Sequence, residues 1–174
     1  PVAQTVAYVN VDREGANLSP SLAHTTVIVG AEPGGQNLID LTNQAIADSP
    51  LDALLLSVVF GQGRSDHANF VLDGVPSVFF TDANNGCYHT AQDDLVALDF
   101  AKLELQVANG TELTRLLAAT DFPPVFDAAA PVTGYNDAVS MLAVVERALP
   151  DLVLFPDDAA ASTDKTFKSY PGLV

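Results

Sequence analysis

Residues Gly63–Asp99, GRSDHANFVLDGVPSVFFTDANNGCYHTAQDDLVALD, decide how this chain is read. The stretch holds two of the three histidines, His67 and His89, and the only cysteine, Cys87. Between the histidines lies Val75–Thr81, apolar nearly throughout, the mark of a strand buried on both faces. A loop follows, with His89 in it and Asp93 four residues later. An imidazole on a loop leaving the carboxyl end of a buried strand stands where open α/β sheets place ligands and metals.

Outward from this stretch the same pattern recurs. Val6–Val11 is a second buried-strand run, and it ends in Asp12, Arg13, Glu14 and Gly15. Thr25–Val29 and Leu54–Phe60 read as further strands. Asn37–Ala47 places Leu38, Leu41, Ala45 and Ile46 on one helical face. Ala68–Leu72 has room for a turn or more of helix. Asp99 is an N-cap for a helix over Phe100–Ala119, with Phe100, Leu103, Val107, Leu113 and Leu117 expected inward and Asn109-Gly110 weakening its middle. Strands alternating with helices predict an α/β fold, a mostly parallel sheet with helices on both faces. After Thr120 the Pro- and Ala-rich run DFPPVFDAAAPVTG reads as a linker. Tyr135–Leu149 reads as one more helix, with Asn136 as cap and Pro150 as stop, and Asp151–Val174 shows no clear period.

A chain of 174 residues with 48% apolar content is one domain's length and has material for a core. A net charge of −15 with only seven basic residues argues against nucleic acid and anionic membranes as partners, since phosphate binding needs clustered Lys and Arg. No run of about eighteen apolar residues is present, so no membrane-spanning helix is expected. One cysteine excludes an internal disulfide. The chain opens on Pro1 without Met or leader, which suggests an internal boundary of a longer protein.

Each chemical candidate has a plainer reading beside it. Asp12 is a hard oxygen donor suited to a divalent ion, or an Asp capping the turn before Gly15. His89 is a ligand, or a surface-loop histidine; a ligating imidazole needs its other nitrogen held, and Asp93 or Asp94 is within sequence reach. Ser65-Asp66-His67 is not a serine-hydrolase triad, because three adjacent residues do not reach that geometry and no G-x-S-x-G is present. Cys87 reads as a small filler and His24 as surface. Gly34-Gly35 lacks the Lys of a phosphate loop.

Taken in order, VAYVNVDREG, GRSDHANF, GVPSVFFTD and YHTAQDD resemble the carboxyl-terminal half of zinc-dependent exopeptidases of the bacterial leucyl aminopeptidase and glutamate carboxypeptidase type. The resemblance covers roughly residues 1–120, leaving 121–174 as linker, helix and carboxyl-terminal extension. It implies a phosphorylase/hydrolase-like zinc peptidase core, incomplete in this chain, that binds two zinc ions. It implies that Asp12 and His89 are metal ligands in different metal sites, that Ser65 hydrogen-bonds Asp12, and that Asp66, His67 and Asp93 support them. Gln62 stands where the best-studied aminopeptidases carry a Tyr that stabilises the tetrahedral intermediate, and Tyr88 falls on the substrate side. The His-x-Asp and Glu-Glu motifs that supply the other ligands and the general base are absent, so no catalytic residue is expected within this chain and the base is expected upstream. The isolated chain is expected to bind zinc weakly and to be inactive. Implied partners are a peptide or amide substrate and the missing amino-terminal half or another copy of the chain. A secreted, periplasmic or membrane-associated ectodomain setting is implied as well. Two other readings share the resemblance. One is a non-catalytic binding or dimerisation module, as in transferrin receptors. The other is a single-zinc glutaminyl cyclase, which the absence of Trp disfavours.

Overall fold

The computed structural model describes residues 2–154; the part of the unpatterned tail from residue 155 on lies outside the described residues. Four strands, β1 (Tyr8–Val11), β2 (Thr25–Val29), β3 (Asp52–Leu56) and β4 (Ser77–Thr81), form one sheet in the order β1-β4-β2-β3. Four helices cover it: α1 (Gly35–Ile46), α2 (His67–Leu72), α3 (Phe100–Ala119) and α4 (Tyr135–Ala148). The β1/β4 and β2/β3 pairs are parallel and the central β4/β2 pair is antiparallel. The α/β fold is therefore the expected one, with a reversal at its centre.

Alternation along each strand divides the core in two. Val78 and Phe80 of β4, Ile28 of β2 and Val9 of β1 face α1 and α3, where they meet Leu38, Ala45, Leu113 and Leu116. Phe79, Val29, Val27 and Leu56 face the opposite side. All five residues of β4 are buried, which is why its sequence is apolar without alternation.

Three sequence expectations shift for identifiable reasons. The apolar run Leu54–Phe60 is strand only to Leu56, and Val58–Gly61 forms a 3₁₀ turn. Phe60 instead lines a cavity with Val27 and Phe79, so its apolarity reflects contact with the sheet face and not membership of the sheet. Likewise β1 begins at Tyr8 and α1 at Gly35. Helix α4 is capped at Gly134, not Asn136: the Asp137 carboxylate accepts from the Gly134 N–H at 2.6 Å and from the Ser57 N–H at 2.7 Å, which ties the helix to the end of β3.

Helix α3 has the predicted limits, and the Asp99 side chain caps it by accepting from the Lys102 N–H at 3.0 Å. Its buried face is the predicted one only in part: Leu113 is buried and Leu103 and Leu117 are half-buried as expected. Phe100 and Val107 are 59% and 52% exposed, while Lys102, Gln106 and Asn109 are buried with Leu113 and Leu116. The polar stripe is inward because a buried carboxylate needs it. Asp82, just past β4, is 5% exposed and lies 2.9 Å from Lys102 Nζ. Its oxygens also accept from Gln106 Nε2 at 2.7 Å and from the Ala16 N–H at 3.0 Å. Gln106 Oε1 accepts from the Gly15 N–H at 2.8 Å, and Lys102 donates to the Ala16 carbonyl at 2.9 Å. Helix α3 thereby fastens the loop after β1 to the loop after β4.

Truncating one partner of such a pair leaves the other charge buried and unpaired. Lys102→Met is expected to cost about 3 kcal/mol or more in urea unfolding. A loss below about 1 kcal/mol is what a surface pair would give, and would contradict the buried geometry.

Candidate functional site

Because β1 and β4 are adjacent and parallel, the loops that follow them leave the same end of the sheet. Asp12 is the first residue beyond β1, and its N–H reaches the Phe80 carbonyl at 3.3 Å. Its side chain is 44% exposed, with Oδ2 accepting from the Ser65 hydroxyl at 2.7 Å. The predicted Ser65–Asp12 hydrogen bond is thus present. Ser65 in turn accepts from Asn10 Nδ2 at 2.8 Å. An amide nitrogen only donates, so the single Ser65 proton is directed to Asp12. Asn10 is 5% exposed and escaped the sequence reading. Its signal was a polar residue inside an apolar strand, two before Asp12 and hence on the same face.

Ser65 reaches Asp12 by an indirect route. Strand β3 ends at the opposite end of the sheet from β1, so residues 57–66 cross the sheet face to bring Ser65 to Asp12. Helix α2 then returns along that face and leads into β4. Its first residue, His67, is 3% exposed and stacks on Phe79 with ring centroids 4.5 Å apart. Burial, then the Arg13 charge, push its pKa down, so it is a neutral packing group. Gly61 lies against it: a Cβ there would fall 2.6 Å from His67 Nε2.

Arg13 joins Asp12 to the second loop. It donates to Asn84 Oδ1, and its guanidinium lies 5.4 Å from the Phe79 ring centre and 5.7 Å from that of Tyr88. Tyr88 stacks on His89 at 3.8 Å. Asp12 and His89 are therefore at one end of the sheet, linked through Arg13 and Tyr88. His89 is exposed, as are Asp66 at the start of α2 and Asp93. Among the described residues no hydrogen bond joins His89 to Asp93 or Asp94, and Asp94 instead caps a turn by accepting from the Val96 N–H at 2.9 Å. Cys87 is half-buried and His24 exposed. Gln62 lines the cavity over Val27, Val29 and Phe79.

Backbone strain concentrates here. Among the described residues the non-glycine residues with positive φ are Arg13 (61°), Gln62 (53°), Ala83 (60°) and His89 (60°). All four are in the loops just described. Side chains at such angles cost on the order of 1 kcal/mol each, and they persist where surrounding contacts over-determine them, as at binding and catalytic sites.

For a metal, the donors are of the right kind but too few. Asp12 offers a carboxylate oxygen and His89 an imidazole, yet no group of three metal-ligating side chains exists among the described residues. A zinc site takes about four ligands, at least three from protein. The described residues do not make such a site by themselves.

Glu14 is a residue that sequence reasoning passed over. Both of its carboxyl oxygens are shielded from solvent and lack a hydrogen-bond partner among the described residues. Burial, reinforced by the Asp82 charge and opposed by Lys102, pushes its pKa from 4.5 up to about 8.

A carboxylate and an imidazole on loops at one end of an α/β sheet are donors of the kind a metallohydrolase uses. The comparisons with known proteins agree with that class: residues 1–109 match the model of Peptidase family M28, a family of zinc-dependent metallopeptidases. The chain belongs to peptidase family M28. No curated protein and no solved structure matches it. The family match ends within α3, so α4 lies outside it.

Two outcomes check this geometry. Ser65→Ala removes the partner of both Asn10 and Asp12 and is expected to cost about 1–2 kcal/mol in urea unfolding, more than an exposed Ser→Ala. The second concerns Glu14. Its folded pKa of about 8 exceeds the unfolded value of 4.5, so the folded state holds the proton more tightly. Its contribution is fully present below about pH 4.5 and is lost as pH rises toward 8. In metal-free buffer the chain is expected to lose on the order of a few kcal/mol between pH 5 and 8. Glu14→Gln should lose much less, and an equal loss in the variant would assign the pH dependence elsewhere.

Proposed function

We propose that this chain is part of a metal-dependent exopeptidase that hydrolyses a terminal peptide or amide bond, with Asp12 and His89 as ligands in two different zinc sites. The observation that carries the reading is the Asn10–Ser65–Asp12 chain of hydrogen bonds at the carboxyl end of β1, beside the strand whose following loop carries His89. A carboxylate whose one oxygen is held by a hydroxyl presents the other in a defined direction, as metal ligands require. The remaining ligands and the general base come, in this reading, from another polypeptide segment. When bound, zinc supplies a Lewis acid for the scissile carbonyl and an activated water. Gln62, on the cavity wall, donates an amide N–H to the oxygen on which charge develops, the task a Tyr hydroxyl performs in the aminopeptidases this chain resembles. Tyr88, stacked on His89, holds that ring in place and closes the substrate side.

The test is zinc analysis after dialysis together with hydrolysis of aminoacyl-nitroanilides. It compares these 174 residues alone with the longest polypeptide that the gene encodes. The 174 residues alone are expected to hold less than stoichiometric zinc and to show no turnover. The longer polypeptide is expected to show zinc-dependent turnover, which Asp12→Asn and His89→Ala each reduce by roughly a hundredfold or more. Stoichiometric zinc and turnover in the short chain would mean that the site is misplaced. Zinc without turnover in the longer one would favour a non-catalytic binding module.

A further inference from the structure

Helix α4 is turned the opposite way from an ordinary surface helix, which sets its apolar stripe inward. The side it lays against the edge of β3 is polar: Asp137 accepts from the Ser57 N–H, Ser140 donates to the Leu55 carbonyl at 2.9 Å, and Arg147 lies 3.4 Å from Asp52. The side it turns to solvent is apolar. Tyr135, Val139, Leu142, Val145 and Leu149 recur there at helical spacing, and Leu152 follows in the 3₁₀ turn that continues the helix. All six are more than half exposed. At that exposure they present on the order of 700 Å² of side chain, more than an ordinary monomer leaves open in one patch and close to one partner's share of a stable interface.

The stripe is complementary to itself. It is symmetric about Leu142: Val139 and Val145 lie three residues to either side, and Tyr135 and Leu149 seven. When two copies of α4 run antiparallel, a two-fold axis at Leu142 sets Leu142 on Leu142, Val139 on Val145 and Tyr135 on Leu149. Every pairing is apolar on apolar. Charge selects the same arrangement. Glu146 is the exposed acid beside the stripe. In the antiparallel pair it faces Ala138, and the two Glu146 residues stand about 12 Å apart along the axis, at about 1.5 Å of rise per residue. A parallel pair would set them side by side. With a net charge of −15, two copies repel over much of their surface, and a face with one exposed acid is where they can meet.

We propose that α4 is the self-association surface of this protein, forming a two-fold antiparallel helix pair with a second copy, centred on Leu142. Met141 and Val144 of the same helix line the cavity over Phe79, so the second copy braces one wall of that cavity from behind. The inference does not rest on the peptidase reading, because α4 lies outside the family match and carries none of the proposed ligands.

The experiment is sedimentation equilibrium over the micromolar range, on the 174 residues and on the longest polypeptide that the gene encodes. Both are expected to show a reversible dimer, which for the short chain means twice 18.2 kDa. Leu142→Glu sets two like charges on the axis and is expected to weaken the dimer roughly a hundredfold. Its far-UV circular dichroism should be unchanged, because Leu142 is exposed in the monomer. The register is read separately by oxidative cross-linking in a Cys87→Ala background. Leu142→Cys is expected to form a disulfide-linked dimer in high yield, since the axis brings the two copies of that position together. Glu146→Cys is expected to form little, because about 12 Å is beyond the reach of a disulfide. A longer polypeptide that stays monomeric, a dimer that Leu142→Glu leaves intact, or equal cross-linking at the two positions would overturn the proposal. In the first case, Leu142→Cys shielded from maleimide would assign the face to another segment of the same polypeptide.

Discussion

The buried charge of Asp82 is the constraint on which the rest of this structure depends. A carboxylate at 5% exposure needs partners fixed around it, and here they come from two separate places. Lys102 and Gln106 project from α3, and the Ala16 N–H comes from the loop after β1. Satisfying Asp82 therefore sets the rotation of α3 about its axis and the path of residues 12–16. That path in turn sets the direction of Asp12. The polar face of α3, which looks misplaced against a sheet, is the reason that two loops from neighbouring strands keep one geometry.

A second constraint is topological. The reversal between β3 and β4 forces residues 57–66 to cross the whole face of the sheet. The crossing delivers Ser65 to Asp12, sets Gly61 against His67, and encloses a cavity whose floor is the sheet. Arg13, Gln62, Ala83 and His89 all take left-handed backbone angles around these loops. Such angles persist where surrounding contacts over-determine them.

Much of this was legible in sequence. The four strands, the limits of α3 and its Asp99 cap follow from periodicity and capping chemistry, and the Ser65–Asp12 pairing was implied by the family resemblance. What escaped shares one physical cause. Asn10, Glu14, Asp82, Lys102 and Gln106 are polar residues whose meaning lies in partners distant along the chain, such as Gln106 with Gly15. Pattern reading assigns polar residues to the surface, so the inward face of α3 was drawn through Phe100 and Val107, which are exposed. The end of β3 was overrun for a related reason, since Phe60 packs on the sheet without belonging to it.

The sequence by itself determined the class of fold and the family, because these depend on local order: apolar strands, each followed by a chemically distinctive loop. The tertiary structure alone decided which strands are neighbours, and so that Asp12 and His89 share one end of the sheet. It also decided that the Ser65 hydroxyl, 53 residues further along the chain, meets Asp12. Strand order and loop crossings are set by the mutual burial of surfaces far apart in the chain. No window of neighbouring residues contains that information.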